Sequence, residues 1–256
     1  MRTGAFELKI RPKDRTAADE YSHRGRTWIE GRHNSHYVID LVNHHNHMVE
    51  AVVSVDGLSV VDGQPAGFSS RGFVLQAGES ATINGWQTTA LSAAQFVFGS
   101  KEHSYGSRSG RGGNEGVIGV AWFLPRPATV DPIMPRGFAQ TWHAPINSQP
   151  FDWHNGQLTD SVIKGIGSVS GSSVQASSMG TGWGPSVDQT VQKVTFVRAS
   201  QEPTQVQLIY YDSATNLQKM GIVLHNRRRA ELQQAFPGNS EGYCTPPPPD
   251  WTTKKW

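Results

Sequence analysis

The chain has 256 residues, room for one large or two small domains with a substantial core, and its formal net charge is +2. So balanced a charge supplies no overall basic field for nucleic acid, and no apolar run approaches the length of a membrane-spanning helix. A hydrophobic share of 36%, with 27 glycines and 15 prolines, points to short strands joined by many turns rather than to long helices.

Phe6–Ile10 alternates, with Phe6, Leu8 and Ile10 on one face, and reads as a first strand closed by Pro12. Lys13–Arg26 is a charged connection, and Thr27–Glu30 a short strand. Tyr37–Val42 puts Tyr37, Ile39 and Leu41 on one side; Asn43–His47 then reads as a polar turn and Met48–Val55 as the return strand. Asp56-Gly57 and Asp62-Gly63 carry the strongest hairpin signals, since glycine accepts the positive φ of tight turns. Phe73–Leu75 leads to a turn at Ala77-Gly78, and Ala81–Ile83 to a turn at Asn84-Gly85 followed by Trp86. Gln95–Phe98 and Val117–Phe123 flank a soft Gly- and Ser-rich loop, Gly99–Gly116. Val117–Phe123 is apolar on both faces and predicts a strand near the centre of a sheet.

From Pro125 the texture changes. Prolines at 125, 127, 132, 135, 145 and 150 exclude regular interior strands. Gly and Ser dominate Gly165–Gly184, which reads as a linker or as an arm that orders against a neighbouring subunit; Trp142, Trp153 and Trp183 favour the arm, because large aromatics need something to cover them. Lys193–Ala199, Gln205–Tyr211 and Lys219–Leu224 then read as a three-strand meander with a turn at Asp212–Asn216. Val194, Phe196 and Arg198 share one face, as do Val206, Leu208 and Tyr210. Ala230–Ala235 suggests a short helix stopped by Pro237, and Pro246–Pro249 fix a polyproline II tail suited to docking.

These elements predict a mainly β fold, an antiparallel β-sandwich or jelly-roll-like core with long Gly/Ser/Pro-rich extensions. Its parts are an N-terminal strand and polar connection (1–29), the sandwich core (30–125), a connection or arm (126–189), a meander packing on the core (190–229), and a short helix with the proline-rich tail (230–256).

Candidate chemistry is sparse. His33, His36, His44, His45 and His47 lie close in sequence, and a hairpin would gather several imidazoles at its end, a ligand type zinc accepts. Adjacent His44 and His45 diverge in an extended chain, however, and no thiolates or carboxylates complete a ligand spacing. Solvent-facing turn histidines are the plain reading, with His36, His44, His45 and His47 the only metal candidates. Asp56 and Asp62 lack the acidic spacing of a calcium loop and read as turn residues. The basic stretches at Arg108 and Arg111 and at Arg227–Arg229 read as solvated loop charge. G-x-S-x-G, H-E-x-x-H and P-loop patterns are missing, and Gly180-x-Gly182-x-Gly184 lacks the strand-then-helix setting of a nucleotide loop. Cys244, the single cysteine, excludes an intrachain disulfide and sits in the proline-rich tail, a poor place to hold a nucleophile. Trp86, Trp122, Tyr105 and Tyr37 could form a sugar-stacking face, with core or subunit packing the plainer account. No catalytic residue and no cofactor is expected.

The runs VVSVDGLSVVDGQPA, GFVLQAGESATINGW and FVFGSKEHSYGSRSGRGGNEGVIGVAWF resemble a family of uncharacterised β-rich proteins found in bacterial genomes and among the virion genes of tailed phages. GTGWG, VTFVRAS, IYYDSATNL and FPGN…PPPPDW extend the resemblance over most of the chain; HHNH departs from it. The resemblance implies a β-sandwich in a structural or attachment role and carries over no catalytic residue. The expectation is therefore a non-enzymatic virion protein, a capsid decoration or cement subunit or a head fibre. It would be a homo-oligomer contacting other capsid or tail subunits, with no nucleic-acid or membrane partner. The docking residues expected are Pro246, Pro247, Pro248, Pro249, Trp251, Trp153 and Trp183. The N-terminus lacks the apolar run of a signal peptide, so synthesis in the host cytoplasm is expected. The alternative expectation is a carbohydrate- or receptor-binding module.

Overall fold

A computed structural model describes residues 1–127 and 177–224. Two seven-stranded sheets pack face to face in a sandwich-like arrangement with few short helices. The first sheet runs β1 (Arg2–Thr3), β2 (Phe6–Pro12), β5 (His36–Asn43), β11 (Ser92–Ser100) and β10 (Gly85–Gln87). In the same sheet β9 (Ser80–Ile83) pairs with β5, and β13 (Met179–Asp188) with β11. The second runs β3 (Glu20–His23), β4 (Arg26–Glu30), β14 (Gln205–Asp212), β12 (Val117–Phe123), β6 (Val49–Val55) and β7 (Leu58–Ser59), with β8 (Phe73–Leu75) also on β6. Strand pairing is antiparallel except between β4 and β14.

Alternation explains the inner faces. Phe6, Leu8 and Ile10 of β2 and Tyr37, Ile39 and Leu41 of β5 meet Val53, Val55, Ile118, Val120 and Ile209 of the facing sheet in one buried core. The central strands β6 and β12 are buried on both faces. Val52, Ala121 and Phe123 point outward and are covered by Phe68 and Phe196. A second outer cluster forms where Leu217 and Ile222 cover Tyr21 and Trp28.

Several expectations are corrected. The Asn43–His47 turn joins no hairpin: β5 lies in the first sheet and β6 in the second, so the turn is a corner between sheets. Asn43 builds it, its buried amide donating to the carbonyls of His47 (2.8 Å), Leu75 (3.3 Å) and Gln76 (2.8 Å) while its oxygen accepts from the His45 amide (2.8 Å). The Lys13–Arg26 connection contains β3, whose hairpin to β4 turns through Arg24 and Gly25, both at positive φ. Asn84-Gly85 is not a turn of that kind; Gly85 opens β10, where a Cβ would collide with the Ala94 carbonyl.

The meander is not formed. Only its middle member is a strand, and β14 lies inside the second sheet between β4 and β12. Its core side carries Gln207, Ile209 and Tyr211, while Val206 is exposed and Leu208 and Tyr210 are half-buried. Lys193–Ala199 makes a single bridge, Arg198 to Pro125, with the Arg126 amide donating to the Val197 carbonyl at 2.8 Å and the Ala199 amide to the Leu124 carbonyl at 3.0 Å, and extends into no ladder. Lys219–Leu224 is not extended. Ala214–Lys219 is a helix, started by Ser213, whose hydroxyl accepts from the Asn216 amide, and stopped by Gly221 at φ 88°. Glycine-rich Met179–Asp188, read into the arm, is a ten-residue strand, buried at Met179–Thr181 and largely exposed beyond. The short helix at 230–235 and the tail with Pro246–Pro249 lie outside the described residues, as do Trp142, Trp153, Trp251, Arg227–Arg229 and Cys244.

Candidate docking site

β13 enters the first sheet at its edge. Among the described residues its one strand partner is β11. Ala94 faces Ser186 and Phe96 faces Trp183, so Gly184 and Pro185 together oppose Gln95. That bulge, with a proline that cannot donate to a ladder, is the device by which natural sheets re-aim side chains and end pairing at an edge. Trp183, next to the bulge, is 52% exposed.

Its ring has a backing. Tyr105 lies 5.0 Å away between ring centroids, and Trp86 lies 4.8 Å beyond Tyr105. Trp86 is buried, packs edge-on to Phe96 at 5.3 Å, and spends its indole N–H on the Gly182 carbonyl at 3.2 Å. The three rings thus form a ladder from core to solvent. Tyr105 is positioned by the Gly99–Gly116 loop, which is ordered rather than soft. Tyr105–Arg108 forms one helical turn capped by Ser104. The Glu115 carboxylate accepts from the Ser107 hydroxyl at 2.8 Å and the Gly113 amide at 2.9 Å, with the Lys101 ammonium at 3.6 Å. Arg111, read as loop charge, donates to the Gly63 carbonyl at 3.2 Å.

The start of β13 is fixed to the opposite sheet by side chains. Ser177 donates to the Tyr211 carbonyl at 3.2 Å, and Ser178 to the Asp212 carboxylate at 2.8 Å. The buried Asp56 carboxylate accepts from the Thr181 amide (2.6 Å), the Gly116 amide (2.9 Å) and the Tyr211 hydroxyl (2.6 Å). The Thr181 hydroxyl contacts those of Tyr211 at 2.8 Å and Tyr37 at 2.7 Å. Burial pushes the Asp56 carboxyl up to about 6 against the pull of these donors. It also holds the Tyr37 and Tyr211 phenols well above their ordinary range, so both remain neutral hydroxyls.

Asp56 is the turn residue the sequence indicates, at φ 53° with Gly57 at φ 77°. Its second role as acceptor for Thr181, 125 residues away, has no local signal. Trp86, Trp122 and Tyr37 are core residues, and of that aromatic set Tyr105 alone reaches the surface, beside a tryptophan outside it. Gly180, Gly182 and Gly184 lie along β13, not in a loop. The histidines converge only as a pair, His45 beside His47 at 5.1 Å between ring centroids. His36 opens β5, whereas His44, His45 and His47 follow its other end, about 25 Å away at strand rise. His44 contacts Glu7 at 3.0 Å, and His45 stacks on Phe6 and meets His47 at a tilt. Among the described residues no three potential ligand side chains come together.

No family model, curated protein or solved structure matches the chain.

Proposed function

We propose that the chain is a non-enzymatic structural protein of a tailed-phage virion, a decoration, cement or head-fibre subunit that docks on neighbouring subunits through Trp183. The exposure of Trp183 on a rigid, backed strand carries the reading. Tryptophan is among the residue types that anchor protein interfaces, and anchors are strongest when their geometry is set before contact. The virion context rests on the resemblance of the strand-and-turn runs. The test is co-sedimentation of tagged protein with purified particles from the host culture. Trp183→Ser is expected to keep the fold and lower recovery at least tenfold. Absence of the wild-type protein from every particle fraction would overturn the reading.

A carbohydrate-binding module is the second reading, favoured by the paired Tyr105 and Trp183 rings, since the apolar face of a pyranose packs on such surfaces. It requires saturable glycan binding that Trp183→Ala abolishes; no binding across a glycan array would remove it.

A further inference from the structure

Among the described residues, buried polar bridges tie the sandwich across its interior at two places. At one, Gln207 accepts from the Trp122 indole N–H at 2.9 Å and donates to the Phe6 carbonyl of the facing sheet at 3.2 Å. Every group there is neutral. At the other, where β13 meets the second sheet, the bridge is the Asp56 carboxylate, 1% exposed and accepting from the Gly116 amide, the Thr181 amide and the Tyr211 hydroxyl.

We propose that Asp56 is a proton-operated latch on β13, closing the seam more firmly as the medium acidifies. The donors to Asp56 come from three places: the Thr181 amide of β13, the Tyr211 hydroxyl of β14 and the Gly116 amide before β12. The ionisable groups acting on it are Tyr211, Tyr37 through Thr181, and Glu115; the first two stay neutral, and Glu115 adds like charge. No ion pair among the described residues involves Asp56. The ionised form is therefore held by hydrogen bonds alone, without a compensating cation.

The hydroxyls beside Asp56 set how its proton is held. With Asp56 ionised, donation runs from Tyr37 through Thr181 and Tyr211 to the carboxylate. When Asp56 carries a proton, its hydroxyl donates to the Tyr211 oxygen, and Tyr211 turns its own proton to the Thr181 hydroxyl. When the seam opens, Asp56 regains water and titrates near its ordinary 3.8, while in the closed seam it titrates near 6. Opening between those values releases a proton, so acid opposes opening. Trp183 lies two residues beyond Thr181, so the latch sets how firmly the docking strand is held, whichever partner meets it.

The test is amide hydrogen exchange of the Thr181 and Gly116 N–H groups in the full chain, corrected for intrinsic rates. Protection is expected to rise about tenfold from pH 7 to pH 5 in the wild type, and to be pH-independent in Asp56→Asn. Flat protection in the wild type, or the same slope in Asp56→Asn, would overturn the latch. If Asp56→Asn does not fold, the carboxyl carbon resonance of Asp56 decides. An inflection near 6, moving upward in Tyr211→Phe as a donor to the ionised form is lost, supports it; an inflection at or below 3.8 overturns it.

Discussion

Arg198 joins segments that no strand ladder holds. Its guanidinium forks onto Glu50 at 2.7 and 3.0 Å, donates to the Phe68 and Ser70 carbonyls, and lies 3.9 Å from the centre of the Phe123 ring. Glu50 in turn accepts from the Gly72 amide at 3.1 Å, so the 67–72 loop and the 196–199 segment are clamped on the outer face of the second sheet. Arg198→Met would leave Glu50, 8% exposed, without its cation, at a cost of about 3 kcal/mol. The expected readout is a lower urea midpoint at unchanged slope, with partial recovery in Glu50→Gln/Arg198→Met. Equal loss in the single and double variants would show that Arg198 acts through packing on Phe123 and the loop instead. The sequence places Arg198 correctly beside Phe196, but its partner is 148 residues distant. Such pairings, like that of Asp56 with Thr181, leave no trace in local pattern.

At the scale of elements, legibility follows periodicity. Phe6–Ile10 and Val117–Phe123 announce themselves because a period of two, or a run apolar on both faces, is what half-buried and fully buried strands require. The β5–β6 corner is invisible to the same test, since two alternating runs around a polar turn look alike whether they pair or cross between sheets. Met179–Asp188 is hidden by its glycines, which suit a strand seated against the Lys101–Arg108 segment but resemble a linker in composition. The helix at Ala214–Lys219 is missed by the reading of a turn at Asp212–Asn216 and a strand at Lys219–Leu224, although Ser213 followed by Gly221 is a start and stop pair. The stop is complete, with Gly221 donating to Gln218 at 2.9 Å and Ile222 to Leu217 at 3.0 Å. Leu217 and Ile222 cover Tyr21 and Trp28, so caps and packing are coupled. Ser213→Ala and Gly221→Ala should each cost about 1 kcal/mol in urea unfolding, while Gly221→Asn should cost less because asparagine tolerates positive φ. Equal costs for the two Gly221 variants would place the effect in packing rather than backbone conformation.

Across the whole molecule, two sets of carboxylates pull stability in opposite directions with pH. Glu7 is held down to about 2 by its Lys9 and His44 hydrogen bonds. Asp40 is lowered although burial opposes it, because Arg11 and Thr82 donate to it; Glu115 is lowered against burial by Ser107 and Gly113. These groups bind protons less readily folded than unfolded, so their contribution is present above the ordinary carboxylate values and is lost as pH falls through their folded ones. Asp56 has the reverse sign. Its folded value near 6 exceeds the ordinary 3.8, so its contribution is complete below 3.8 and disappears as pH rises through 6. In the window between about 5 and 6 the lowered groups are nearly fully ionised in both states, and Asp56 dominates the change among these four. The urea midpoint should therefore peak between about pH 4 and 5 and decline toward pH 6.5, on the acid side of the usual optimum. Removing the buried charge by Asp56→Asn should flatten that decline while leaving the acid limb, set by Glu7, Asp40 and Glu115, in place. A midpoint that climbs steadily from pH 4.5 to 6.5 would mean that the donors from Thr181, Gly116 and Tyr211 outweigh burial, and that the seam is held more tightly by the ion than by the acid.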